Sequence, residues 1–235
     1  MEIRQRFALE MSSIRRQTLK LGASVEQALQ KALRALLEQD HPLADSVVRD
    51  DCRVGAMCAV IQSLCTKAIA THQPVARDLR ELIATMQVAA ELDRIGDHAR
   101  HLAEGVEVVA DPHLRLRMDS LEKMATMGIV MLKDALEAYT EMDVEAATGV
   151  IGADDALDNL YWSAHRDLMA LMQSKPSTVE RGTSLMFLNR FLERLGDHTT
   201  AICQWIIFAQ TGRHSSARET SEGAAAHVER DGTGS

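Results

Sequence analysis

The segment DRIGDH at residues 93–98 recurs as ERLGDH at residues 193–198, a displacement of 100 residues (193 − 93 = 100). In each copy two acids lie four residues apart, so on a helix they share one face, about 5–6 Å apart. In each copy a glycine interrupts an otherwise helical pattern, at a cost of roughly 0.5–1 kcal/mol relative to alanine. We interpret the pair as the functional centre of an internally repeated protein.

The repeat extends well beyond these two segments. Residues 32–51 match residues 135–154 at a displacement of 103, as Asp51 and Asp154 show (154 − 51 = 103). The displacement falls to 100 at the hexapeptides, which places a three-residue length difference in the loop before each hexapeptide's helix. Loops absorb such differences readily. The sequence therefore predicts two copies of a three-helix unit.

Apolar residues at helical spacing, interrupted by prolines and polar turns, predict six helices. Their expected bounds are 3–39, 43–71, 74–109, 113–141, 144–173 and 177–212. Residues 177–180 (STVE) have the form of a capping box that opens the sixth helix. The predicted fold is all-α, with two tandem three-helix bundles forming an elongated six-helix protein. The expected divisions are 1–111 for the first bundle, 112–212 for the second and 213–235 for a disordered tail.

Composition supports a helical protein and excludes several functional classes. Aromatic residues make up only 3% of the chain, which disfavours sheets, and the net charge of −8 argues against nucleic-acid binding. The N-terminus lacks the apolar segment of a signal peptide, and no uncharged apolar run approaches the roughly 18 residues of a membrane span. The four cysteines form no CxxC pair, so buried free thiols in a reducing cytoplasm are expected.

Carboxylates from the fifth and sixth helices are predicted to meet. Successive helices joined by short loops are antiparallel. Counting from Lys175, Asp158 lies 17 residues back and Glu193 lies 18 forward (175 − 158, 193 − 175). Asp154 and Asp197 each lie one helical turn farther from Lys175. At a rise of about 1.5 Å per residue, they therefore lie at the same height along the two helices. The sequence therefore predicts a cluster of four carboxylates between two helices.

Four carboxylates packed together repel one another and lose solvation. Three arrangements relieve this: bound cations, solvated faces, or neutralising arginines such as Arg94 and Arg194. An oxygen-rich site suits iron, manganese, magnesium or calcium, and zinc becomes possible if His198 contributes. The spacing alone leaves these alternatives open, although ion pairs from the two arginines would orient the acids in any case.

The corresponding site in the first half lacks one acid, because Gly55 stands where the second half has Asp158 (158 − 55 = 103). Asp93 and Asp97 both continue an apolar stripe of their helix, and an acid in such a position requires an explanation. His101, four residues after Asp97, offers a replacement ligand. The candidates in the first half are Asp51, Asp93, Asp97, His98 and His101.

The remaining residues of the hexapeptides have two interpretations each. His98 and His198 are either metal ligands or hydrogen-bonded histidines at a helix interface. Gly96 and Gly196 allow close helix approach or leave room beside the acids, which explains them better than flexibility does.

Three stretches carry a resemblance to a known family: residues 44–51, the segment QPVARDLR at residues 73–80, and the two hexapeptides. Together they resemble the PhoU family of phosphate-signalling proteins over roughly residues 5–212. The resemblance implies a cytoplasmic regulator that represses the phosphate regulon when phosphate is plentiful. Family members link the ATPase subunit of the phosphate transporter to a membrane sensor histidine kinase, and the membrane is reached only through these partners.

Some members of that family carry multinuclear iron or zinc clusters on E/DxxxD motifs. The resemblance therefore favours iron or zinc here, with manganese, magnesium and calcium as other candidates. The ligands it implies are Asp154, Asp158, Glu193 and Asp197 in the second repeat, and Asp51, Asp93 and Asp97 in the first. Gly55 in place of the usual acid and His101 in place of the usual Asn set the first-repeat site apart.

The sequence contains no nucleophile–base pairing and no phosphate-binding glycine loop, so no catalytic residue is predicted. The leading hypothesis is a non-catalytic adaptor, with a homodimer expected from exposed Met and Leu side chains. One alternative is a metal-storing or di-iron-type carboxylate protein, although such bundles use Glu-x-x-His spacing. Another is a PhoU-like accessory to a different transporter.

Overall fold

The computed structural model describes residues 2–106 and 118–213, which form six helices. They are α1 (Glu2–Glu38), α2 (His41–His72), α3 (Ala76–Glu104), α4 (Met118–Glu141), α5 (Val144–Ser174) and α6 (Val179–Thr211). No strand occurs in these residues, and the predicted all-α fold of two three-helix units is confirmed. The expected tail lies outside the described residues except for Arg213, as do residues 107–117 between the two units.

The internal repeat is visible in the backbone where α2 and α5 begin. Asp40 caps α2 by accepting a hydrogen bond from the backbone N–H of Leu43 at 3.0 Å. Asp143, 103 residues later, caps α5 by accepting from the N–H groups of residues 145 and 146. The residues before the two caps, Gln39 and Met142, both have left-handed backbone conformations. The same turn therefore opens the second helix of each unit.

The three-residue length difference lies in the loop that the sequence indicated. Residues 73–75 separate α2 from α3, whereas Lys175 alone separates α5 from a 3-10 turn over Pro176–Thr178 that leads into α6. The loop is therefore two residues shorter (3 − 1), and the third residue is accounted for by α5, which has 31 residues against 32 in α2. The predicted capping box is wrong. The Thr178 hydroxyl donates to the carbonyl of Lys175 at 2.7 Å and makes no cap hydrogen bond to α6. The 3-10 turn places the N-cap of α6 at Thr178 rather than Ser177, so Glu180 is the second residue of the helix and not the third that a capping box requires.

The two units share a continuous core, because α3 packs along α6 and α1 packs against α4. Glycines allow close approach between the units: a Cβ on Gly22 would lie 2.6 Å from Leu136 Cδ2, and one on Gly105 would lie 2.6 Å from Leu188 Cδ2. A buried hydrogen bond of 2.9 Å also joins the Thr85 and Tyr139 hydroxyls across this contact. Burial raises the pKa of Tyr139 to about 12.

Helix α2 corrects one expectation from the sequence. Of the described helices, it is the one long and apolar enough to cross a membrane by length and composition, and 28% of its most apolar window is buried. No long uncharged run is evident in its sequence, because Arg53 and Lys67 interrupt the apolar residues of the helix. One face of α2, including Val54, Ile61 and Cys65, is buried against the first bundle.

Candidate metal centre

Four carboxylates, Asp154 and Asp158 from α5 with Glu193 and Asp197 from α6, come together as the helices run antiparallel. We call them the complete cluster. Their proximity is evident in the pKa of Asp154, which is raised to about 7, first by burial and then by the negative charges of the other three. Burial also raises the pKa values of Asp158 and Glu193, and the charge of Asp197 raises each further.

Two oxygens of the complete cluster are buried and accept no hydrogen bond from a described residue: Asp154 Oδ1 and Glu193 Oε2. The other oxygen of Glu193 accepts from Arg190, three residues earlier on α6. Buried carboxylate oxygens nearly always have partners, because leaving them unpaired costs free energy. One arginine does not neutralise four acids, so the complete cluster needs either protons or additional cations.

Glycine is required at position 196 because the two helices approach closely beside the acids. A Cβ added to Gly196 would lie 2.6 Å from Leu157 Cδ2 and would also collide with the Asp154 carboxylate. Gly96 is in the same position in the first unit, where a Cβ would lie 2.9 Å from Val54 Cγ1. Both glycines therefore permit close helix approach, as the sequence indicated, and Gly196 in addition leaves room for Asp154.

We expect Gly196→Ala to destabilise the protein by about 1–3 kcal/mol, because Leu157 and Asp154 must move to admit the methyl group. The matched control is Gly152→Ala on α5, where a Cβ would meet nothing within 4 Å. That change should stabilise the helix by roughly 0.5–1 kcal/mol. Urea denaturation measures both, and two changes of the same sign would contradict the role given to Gly196.

The first unit assembles three acids, Asp51 from α2 with Asp93 and Asp97 from α3, which we call the partial cluster. Burial raises the pKa values of Asp51 and Asp93, and the charge of Asp97 raises both further. A Cβ on Gly55 would lie 3.6 Å from Asp93 Oδ1, so this position faces the acids as the repeat predicted. An acid at residue 55 would complete the cluster.

Arg100 supplies the cation that the partial cluster needs. Its Nε lies 3.3 Å from Asp51 Oδ2, and its guanidinium also pairs with Asp97 at 3.7 Å and with Glu104 at 2.6 Å. The matching position in the second unit is Thr200 (200 − 100 = 100), which has no charge. The two clusters therefore differ in how their arginine is used: Arg100 pairs with acids from both helices of the partial cluster, whereas the ion pair of Arg190 in the complete cluster is with Glu193, on its own helix.

The arginines that pair with the acids are not the ones the sequence singled out. Arg94 and Arg194 are exposed, and the charge of Arg194 is the smallest of the influences on the pKa of Glu193. Arg100 and Arg190 instead lie one helical turn from Asp97 and Glu193. Their three-residue spacing from an acid was the available signal, because residues at this spacing are neighbours on a helix.

His98 and His198 lie between α3 and α6. The Nδ1 of His198 is 2.7 Å from Glu91 Oε2, and its ring centroid is 5.3 Å from that of His98. The alternative of a hydrogen-bonded interfacial histidine therefore holds for His198. It is wrong for His98, whose two ring nitrogens are buried without a partner, and burial lowers its pKa to about 4.

His101 bonds to its neighbour in sequence. Its Nε2 accepts from Arg100 Nη2 at 3.1 Å, and its ring stacks on Phe191 with centroids 4.6 Å apart. Within residues 2–106 and 118–213, no three His, Cys, Asp or Glu side chains are placed to hold one metal ion together. The two buried, unpaired carboxylate oxygens of the complete cluster are nevertheless of the donor type that hard cations prefer.

Comparisons with known proteins agree with this architecture. The family model described as PhoU domain matches twice, at residues 18–106 and 121–206. The chain is 35% identical to the Phosphate-specific transport system accessory protein PhoU of Escherichia coli (strain K12), across 88% of this chain and 86% of that protein. It is 33% identical to the PhoU homolog of Caulobacter vibrioides, across 86% and 89%. The crystal structure of the phosphate transport system regulatory protein PhoU from Streptococcus pneumoniae superimposes with a TM-score of 0.82 at 26% identity, across 89% and 99%.

Proposed function

The chain belongs to the PhoU family, and we propose that it is a negative regulator of phosphate uptake and of the phosphate regulon. It acts as a non-catalytic adaptor between the ATPase subunit of the phosphate transporter and a sensor histidine kinase, in the cytoplasm and as a homodimer. The names of its relatives, which are phosphate transport accessory proteins, support a role in the phosphate system.

The complete cluster gives this proposal its chemistry. Asp154, Asp158, Glu193 and Asp197 would hold a metal ion, with iron or zinc favoured and Mn, Mg or Ca as other candidates. The observation that carries this step is the pair of buried carboxylate oxygens without partners. A bound cation would offset the mutual repulsion of these four acids at neutral pH. The partial cluster, with Asp51, Asp93 and Asp97, is already partly neutralised by Arg100.

An adaptor works by binding one state of its partners more tightly than another. The described residues support binding rather than catalysis, because the clustered acids lie between two helices and not beside a nucleophile–base pair. Large exposed apolar side chains such as Trp162 and Phe187, at 53% and 61% exposure, are available to contact partner proteins.

Affinity purification of the tagged full-length chain from detergent-solubilised cells, grown with high or low phosphate, tests the adaptor role. We expect the transporter ATPase and the sensor kinase to be recovered, in proportions that change with phosphate. A reporter of the phosphate regulon should also be active at high phosphate in a strain that lacks the gene. Recovery of neither partner at any phosphate level, with a silent reporter, would refute the proposal.

The same experiments separate the alternatives. Recovery of a different transporter would indicate an accessory protein of that system. A di-iron-type carboxylate protein would instead consume dioxygen when reduced and loaded with iron, whereas an adaptor would not. The structure gives no specific support to a di-iron site, because His98 and His198 contact each other rather than the acids.

A further inference from the structure

Two histidines from different units meet between α3 and α6, in contact with one another. His98 and His198 correspond in the repeat, and their ring centroids lie 5.3 Å apart. His98 is only 8% exposed, and neither of its nitrogens has a hydrogen-bond partner. Buried polar atoms without partners are rare in native proteins. A buried imidazole with both nitrogens unpaired therefore indicates a ligand.

Glu91 prepares His198 to be a metal ligand. The Nδ1–H of His198 donates to Glu91 Oε2 at 2.7 Å, which leaves the lone pair on Nε2 available. A carboxylate that orients a histidine in this way is typical of metal sites. Two imidazoles on one tetrahedral zinc ion would hold their ring centroids about 5 Å apart, which is close to the separation here. His101 lies nearby but accepts from Arg100 through Nε2, so its proton is on Nδ1 and it is not a ligand in that form.

We infer that His98 and His198 bind a divalent transition-metal ion, with zinc as the probe, and that Glu91 positions His198. The rings are now stacked with an interplanar angle of 27°, so binding requires His98 to turn until a nitrogen of each ring faces the same point. The charge of Arg194 also acts on His98, after burial and the two neighbouring histidines. The ion links the two units, because α3 belongs to one and α6 to the other. This site is independent of the proposed function, since it uses nitrogen donors and none of the clustered acids.

Calorimetric titration of the chelator-treated full-length chain with Zn²⁺ tests the inference. The wild type should bind zinc in more than one class of site. His98→Gln and His198→Gln should each remove one equivalent that the double variant Glu193→Gln, Asp197→Asn retains. Glu91→Gln should weaken that equivalent by about tenfold while leaving the number of sites unchanged, because it acts through His198.

His72 provides the matched control. Its Nε2 lies 3.0 Å from Glu10 Oε2, a similar histidine–carboxylate pair, but its ring contacts Phe7 rather than a second histidine. His72→Gln should therefore leave zinc binding unchanged. Because His98 is buried, circular dichroism checks its variant for folding, and the more accessible His198 provides the second variant. The inference is overturned if folded His198→Gln binds as many zinc ions as the wild type. A result in which only the acid variants lose zinc would overturn it while leaving the proposed function intact.

Discussion

Replacement of Glu193 by Gln and Asp197 by Asn together lowers the metal bound at the complete cluster by at least about tenfold, because two ligands of one site are removed. The zinc equivalent assigned to His98 and His198 remains. The matched double variant, Asp93→Asn with Asp97→Asn, retains most of the metal. The reason is that Arg100 already partly neutralises the partial cluster, pairing with Asp51 and Asp97, whereas the complete cluster contains two buried oxygens without partners. Elemental analysis of protein purified without chelator or metal-affinity resin measures both.

A third variant sharpens this comparison. Arg100→Gln removes the built-in cation from the partial cluster, so its three acids should gain metal affinity. Equal metal losses in the two double variants would contradict the asymmetry between the clusters. No metal in the wild type, even after reconstitution with iron and zinc in turn, would refute the metal site itself while leaving the adaptor role open.

Metal-free protein becomes less stable as pH rises from about 4 to 7, because of Asp154. Its pKa is about 7 in the folded protein, against an ordinary value of about 3.9 in the unfolded chain. The folded state therefore binds more protons in this window, so the stabilisation present below pH 4 is lost as pH rises through 7. Allowing for solvent screening of a half-buried group, the loss amounts to about 1–3 kcal/mol.

Asp154→Asn removes this titration and should make the metal-free protein more stable than the wild type at pH 8. The control is Asp155→Asn, because Asp155 is exposed on the same helix and contributes least to the pKa shift of Asp154. Urea denaturation between pH 5 and 8, with chelator present, measures all three proteins. With metal restored, the order of wild type and Asp154→Asn should reverse. A pH-independent stability of the wild type would show that its acids are solvated.

The acids of the complete cluster could be predicted from the sequence because helical spacing and a short connection fix their heights. The proximity of Asp154 and Asp197 follows from the rise per residue of a helix and from the antiparallel arrangement of α5 and α6. The free-energy cost of a glycine within a helix was enough to suggest that Gly196 allows close helix approach. The structure adds the side chain that a Cβ would meet there, Leu157. Local rules were sufficient here because every residue involved lies on two adjacent helices of one unit.

The surroundings of the histidines could not be predicted, because they depend on how the two units pack. Each histidine follows an acid by one residue, and one step along a helix turns the side chain by about 100°. That rotation carries His198 away from α5, and only the packing of α3 on α6 places Glu91 beside it. The pairing of Arg100 with the partial cluster could not be predicted either, because an arginine near several acids in sequence has several possible partners. Its proximity to Asp51 depends on the packing of α2 against α3.

The glycine contacts between the units, Gly22 under Leu136 and Gly105 under Leu188, determine how the duplicated chain unfolds. The surface through which each three-helix unit contacts the other is apolar. A fragment ending between α3 and α4 would therefore expose this surface to water and aggregate. The intact chain should consequently melt in one cooperative step, even though it is built from two copies of a three-helix unit.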